Sequence, residues 1–262
     1  MPTLAESQTS TVKTRNTYNM KISDAQNIDE LFRLWKEMRP EYKEFSNDGV
    51  LLEDVWKRQH PKIAFLLKEP NDDFYEIRGR SYGPGGNSSR FWRNLNMWSY
   101  TVKQLFNGAA VSFEDAQARK EDAVGHIAYI NLKKKHESRS VADDADIQGY
   151  VERDWEFIAH QVRLIGPDVL FCGGTYKYIR GRLATTELRD RLYRSSRLTI
   201  IDFYHPSCRK SYKTTVDLLS SWPGRFRGLG PAGRCRRHRQ RLAVEGGLGV
   251  RGGFGVSGTP EG

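Results

Sequence analysis

Glu69, Asn131 and His205 are the side chains of this 262-residue chain best placed for chemistry, because each closes or follows a short apolar run. Glu69 comes after I-A-F-L-L and Lys68, Asn131 ends H-I-A-Y-I-N, and His205 follows R-L-T-I-I-D-F and Tyr204. A carboxylate can orient or deprotonate water and offset a developing cation. An amide offers a donor and an acceptor to one ligand edge. An imidazole can donate to a developing oxyanion. Each residue also has an ordinary reading: a solvated turn at E-P-N-D-D, a turn-forming asparagine, a hydrogen-bonded structural histidine. What makes them a set is their shared position after apolar runs. A second, basic group flanks them, with Lys133 and Lys134 behind Asn131, and Ser207, Arg209 and Lys210 behind His205. Such residues suit phosphate oxygens, and equally an ordinary solvated rim.

The positions of these residues depend on the elements that carry them. Ile63 to Leu67 is too short for an ordinary helix and lies between Pro61 and Pro70, which predicts a strand buried on both faces. Further strands are predicted at His126–Leu132, Asp168–Cys172 and Arg197–Phe203. Helices are predicted from Asn27 or Asp29 to about Phe45, and over 51–58, 90–106, 113–121, 146–165, 176–183 and 211–222. The alternation implies an α/β domain of three layers, α/β/α, around a central four-stranded, mostly parallel sheet. In such sheets ligands bind beyond the carboxyl ends of the strands, where all three residues fall.

Composition narrows the class. Residues 1–27 read as a polar lead-in, 28–222 as a single domain, and 223–262 as a Gly/Arg-rich tail with 12 of the 24 glycines, eight Arg and two acids. The tail contributes +6 of the net +10, and its abrupt composition equally suits a chain that has left its ancestral reading frame. No stretch approaches the length of a membrane span, and three scattered cysteines suit neither a disulfide framework nor a four-cysteine metal site. The expectation is a cytoplasmic, monomeric protein with no membrane, cofactor or metal. Asp143, Asp144 and Asp146 read as a disordered acidic loop rather than a metal site.

The motifs together resemble the uracil-DNA glycosylase superfamily. L-K-E-P-N at Leu67–Asn71 is similar to that family's first motif, Y-I-N-L-K-K at Tyr129–Lys134 to its base-reading strand, P-D-V-L-F-C-G-G-T at Pro167–Thr175 to its third, and Y-H-P-S at Tyr204–Ser207 to its H-P-S motif. The resemblance covers about Lys62 to Trp222. It implies a DNA glycosylase that flips a base from the stack and hydrolyses its bond to the sugar, acting on uracil or another deaminated or modified base. In that scheme Glu69 and His205 are catalytic, and Asn131 reads the base with Asn71 and a stacking Phe74 or Tyr75. Lys133, Lys134, Ser207, Arg209 and Lys210 would grip the backbone of single- or double-stranded DNA. Of the aromatics in 90–106, one near the preceding loop is a second stacking candidate. Leu67 stands where the family usually has glycine, and the cysteines of its iron–sulfur branches are missing. A catalytically inactive DNA-binding module on the same fold and a nucleoside or nucleotide hydrolase are the competing readings.

Overall fold

The computed structural model describes residues 21–70, 78, 89–119, 125–135 and 143–222. Among them are seven strands, β1 (Gly49–Val50), β2 (Ile63–Leu67), β3 (Ile127–Asn131), β4 (Val169–Gly173), β5 (Thr186–Arg189), β6 (Leu192–Ser195) and β7 (Leu198–Phe203). The helices are α1 (Ile28–Met38), α2 (Glu53–Arg58), α3 (Arg90–Phe106), α4 (Phe113–Ala118), α5 (Asp144–Ile165), α6 (Tyr176–Ile179) and α7 (Tyr212–Ser220). All strands join one sheet in the order β1-β3-β2-β4-β7-β6-β5.

Every residue of β2, β3 and β4 is buried, because helices cover both faces of these strands. Side-chain alternation divides them between two cores. Phe65, Leu67, Tyr129 and Phe171 pack with Trp98, Val102, Val216 and Leu219 of α3 and α7. Leu66, Ile130, Leu170 and Cys172 pack with Leu31, Trp35, Phe157 and Ile158 of α1 and α5. Capping side chains set the helix starts. Asn27 accepts from the Glu30 amide at 2.9 Å and Asp143 from the Ala145 amide at 2.8 Å, while α5 ends at Gly166 in the left-handed region.

The sheet differs from the four-stranded expectation: it is mixed and has seven strands. The four expected strands form its parallel centre, β3-β2-β4-β7. β1 adds antiparallel to β3, and β6 and β5 add antiparallel beyond β7. The β5–β6 hairpin, T-E-L-R-D-R-L-Y-R-S, lacks an apolar alternation, because β5 is exposed along its length and needs none. Charged edge strands of this kind discourage pairing with other chains. β1 is two residues long, too short to show a period.

Within residues 21–27, Ala25 is buried and its carbonyl meets His160 Nε2 at 2.8 Å. Trp222 is buried at the other end of the domain. Residues 1–20 and the tail from 223 lie outside the described residues, as does most of the stretch between β2 and α3. No helix of the described residues is long and apolar enough to cross a membrane.

Gly173 is tied to the close approach of its neighbours. A Cβ there would lie 2.5 Å from Leu67 Cδ2 and 3.2 Å from Pro206 Cδ. Gly173→Ala should therefore lower stability by about 1–3 kcal/mol. Combining it with Leu67→Ala should cost less than the sum of the two single changes. A urea-denaturation cycle tests this, and strict additivity would show that the contact does not constrain the site.

Candidate functional site

Parallel pairing continues past the ends of β2 and β3 and sets Glu69 beside the residues that follow Asn131. The Leu132 amide donates to the Leu67 carbonyl and the Lys133 amide to the Lys68 carbonyl, each at 2.9 Å. Lys68 and Glu69 are thereby held next to the residues that follow Asn131. β4 then ends in Gly173-Gly174, and the Gly174 amide donates to the Phe203 carbonyl at 2.8 Å, bringing the His205 loop against the same end of the sheet. Phe91, in the first turn of α3, spans the two sides, its ring centroid 6.0 Å from both Tyr129 and His205. Asn94, one turn on, donates to the Pro206 carbonyl at 2.6 Å and ties the His205 loop to α3.

The three central candidates have distinct electrostatic settings. Asn131 is fully buried, and neither Oδ1 nor Nδ2 of its side chain has a hydrogen-bond partner. Its main chain is saturated: the amide donates to Asp48 Oδ2 at 2.7 Å and the carbonyl accepts from Lys134 Nζ at 2.8 Å. A rigidly held backbone thus presents an unsatisfied amide, whose burial without partners costs on the order of 1–3 kcal/mol. His205 is half-buried, and that burial, with the positive charge of Lys68, pulls its pKa from 6.5 down to about 4. Its Nδ1 accepts from the Ser207 amide at 3.2 Å, so in the neutral ring the proton sits on Nε2, a ready donor. Glu69 Oε2 lies 3.2 Å from Lys133 Nζ, which also meets Asp146 Oδ2 at 2.6 Å.

Lys133 and Lys134 are not on the surface and cannot grip a DNA backbone as the sequence reading expected. Both side chains are 0% exposed. Lys134 Nζ donates to both Asp48 carboxylate oxygens, at 2.7 and 2.9 Å, and Gln161 Nε2 donates to the same carboxylate at 2.7 Å. Burial pushes the Lys134 pKa down, and Asp48 opposes it. The two lysines act inward, Lys134 on the Asn131 main chain and Lys133 on the Glu69 carboxylate. Ser207, Arg209 and Lys210 do lie exposed beside His205. Asn71, Phe74 and Tyr75 lie outside the described residues.

The acidic stretch read as a disordered loop is instead the ordered start of α5. Asp143 caps the helix, Asp144 binds Lys68, Lys177 and Tyr178, and Asp146 binds Lys133. Among the described residues no His, Cys, Asp and Glu cluster could hold a metal ion. Sequence reading missed Asp48 and Asn94. Asp48 sits in N-D-G, which reads simply as a turn, but Asn94 lay within the apolar stripe of α3, where a polar residue signals a buried partner. No family model matches this chain, and no curated protein matches it.

Removing one partner of a fully buried ion pair strands the other. Asp48→Ala should therefore cost about 3–5 kcal/mol, measured by urea denaturation. Asp48→Ala combined with Lys134→Met should recover much of that loss, and no recovery would mean that the carboxylate acts mainly through Gln161 and the Asn131 amide.

Proposed function

We propose that the chain is a DNA glycosylase, resembling the uracil-DNA glycosylases, that hydrolyses the N-glycosidic bond of uracil or another deaminated or modified base. The observation that carries this reading is the orphaned, fully buried Asn131 amide at the carboxyl end of a central strand. Buried amides are nearly always paired, so this one fits a site completed by a ligand. The O4 and N3–H edge of uracil is its complement, an acceptor for Nδ2 and a donor for Oδ1.

The other groups suit the same reaction. As the bond from C1′ to the base breaks, electrons flow to the base and appear as negative charge on O2, while the sugar becomes cationic. The neutral His205 ring donates from Nε2 to that oxygen, a fixed dipole that costs no reorganisation in the transition state. Glu69, held beside Lys133, orients water toward C1′, offsets the sugar's positive charge and accepts the water proton. The new C1′–O bond completes the sugar, and the released base anion takes a proton from solvent. Phe91, beside His205, is the described aromatic placed to stack on an extruded base.

Excision of uracil from labelled single- and double-stranded DNA tests the proposal. Glu69→Gln, Asn131→Ala and His205→Ala should each lower the rate at least ~100-fold, the scale of lost acid–base or oxyanion groups. An intact protein that binds DNA but removes no deaminated base is a binding module. One that cleaves free nucleosides but not DNA is a small-molecule hydrolase.

Two further outcomes follow from the electrostatics. Asn131→Leu, which removes an unsatisfied amide, should abolish excision while leaving the denaturation midpoint unchanged or raised. Because His205 is already neutral well below its ordinary pKa, kcat/KM should show no histidine limb near pH 6.5, and any loss due to its protonation should centre near pH 4. A limb at 6.5 that His205→Asn removes would reject the neutral donor.

A further inference from the structure

The positive charge of residues 1–222 is not spread evenly. This span holds 34 Lys and Arg against 30 Asp and Glu, and residues 189–213 account for seven of the bases and two of the acids. The remainder, 27 against 28, is close to neutral. Residues 189–213 include β6, β7 and the His205 loop; Arg194 and Arg197 fall at the amino end of β7, and Arg191, Arg209 and Lys210 at the carboxyl end beside the candidate site.

Folding adds arginines from a distant part of the chain. Arg90 and Arg93 project from the first turn of α3 onto the Tyr212 ring, their guanidinium carbons 4.8 and 5.3 Å from its centroid. Lys210 Nζ and the Arg191 guanidinium carbon lie 5.2 and 5.0 Å from the Tyr204 centroid. Arg90 Nη1 donates to the Lys210 carbonyl at 3.1 Å and joins the two groups. Two tyrosines thus each carry two cations, on either side of the segment that holds His205, Ser207 and Arg209.

None of Arg90, Arg93, Arg191, Arg209 and Lys210 forms an ion pair among the described residues. Asp190 and Asp202, the two acids of the segment, make no direct ion pair either, although Arg191 is close enough to act on the Asp202 carboxylate. Five like charges gathered around a single nearby carboxylate repel, and the ring faces offset only about 0.5–2 kcal/mol per contact. Arg90 and Arg93 also stand at the wrong end of α3 for its dipole, in a first turn with no acidic residue. Arg93 Nε is buried without a hydrogen-bond partner. These costs fall away when a polyanion supplies the missing charge.

We infer that Arg90, Arg93, Arg191 and Lys210, seated on Tyr204 and Tyr212, form a shelf that binds the phosphodiester backbone of nucleic acid beside the His205 loop. This rests on the glycosylase reading for the identity of the strand. A lipid surface fits less well, because the exposed large apolar residues of the described chain, Met38 and Leu188, lie on α1 and β5 and not on the shelf. The shelf replaces Lys133 and Lys134, whose burial removes them from any backbone contact.

The test uses the full chain and a fluorescent 15-nucleotide DNA containing no uracil, so that binding is read apart from excision. Arg90→Gln/Lys210→Gln changes two groups with exposed side chains, and circular dichroism checks its fold. Anisotropy titrations should show affinity weakened roughly tenfold at 0.1 M salt and the log–log salt slope reduced by about 1–2, since each lost phosphate contact removes ~0.7–0.9. The Arg-rich tail is common to both proteins and cancels in the difference. Equal affinity and slope for variant and wild type would overturn the inference, as would shelf-dependent binding to phosphatidylserine vesicles with none to DNA. Shelf-dependent binding without excision of any base would remove the glycosylase reading and leave the shelf standing. Excision with shelf-independent binding would do the reverse.

Discussion

Two adjacent ammonium groups buried behind the carboxyl end of the sheet are the constraint on which the candidate site depends. Lys133 and Lys134 are both fully enclosed, and an ammonium in that setting is tolerable only with close anionic partners. Successive residues face opposite ways, so one lysine reaches Asp48 and the other reaches Glu69 and Asp146. Asp48 in turn collects Gln161 from α5 and the Asn131 amide. One charge-driven network therefore holds the end of β3, a loop residue ahead of β1 and the middle of α5 in a single arrangement.

The consequence for chemistry is preorganisation on one side and deficit on the other. The Asn131 main chain has its hydrogen bonds, while its side chain has none. The His205 ring is fixed at Nδ1 by the Ser207 amide and kept neutral by burial and Lys68. A site assembled in this way makes few internal hydrogen bonds to the polar atoms that would face a ligand.

Charge is likewise sorted by depth. The cations below the site are paired with carboxylates, whereas Arg90, Arg93, Arg191 and Lys210 on the His205 side are seated on tyrosine rings, with Asp202 acting on Arg191 without a direct ion pair. Inward pairing gives rigidity to the proposed catalytic groups, and the outward charge forms the proposed shelf. Both depend on segments far apart in sequence: Asp48 with Lys134, and Arg90 with Lys210.

Much of this was legible in the chain itself. Ile63–Leu67 and Arg90–Phe106 are strand and helix with the bounds their apolar patterns predicted, because continuous burial and a 3.6-residue stripe leave direct marks on residue type. The placement of Glu69, Asn131 and His205 at strand ends follows from the same patterns. The β5–β6 hairpin left no such mark, since the exposed edge strand β5 is held by backbone pairing to β6, itself paired to β7, and needs no apolar face. Nor did the sequence distinguish lysines that bind phosphate from lysines that are buried. K-K-K after a strand looks solvated until Asp48 and Asp146 are brought against it, so tertiary packing alone decided that Lys133 and Lys134 are internal struts. The general reason is that hydrophobic period is a local property of the chain, whereas the partner of a charge is chosen by the fold.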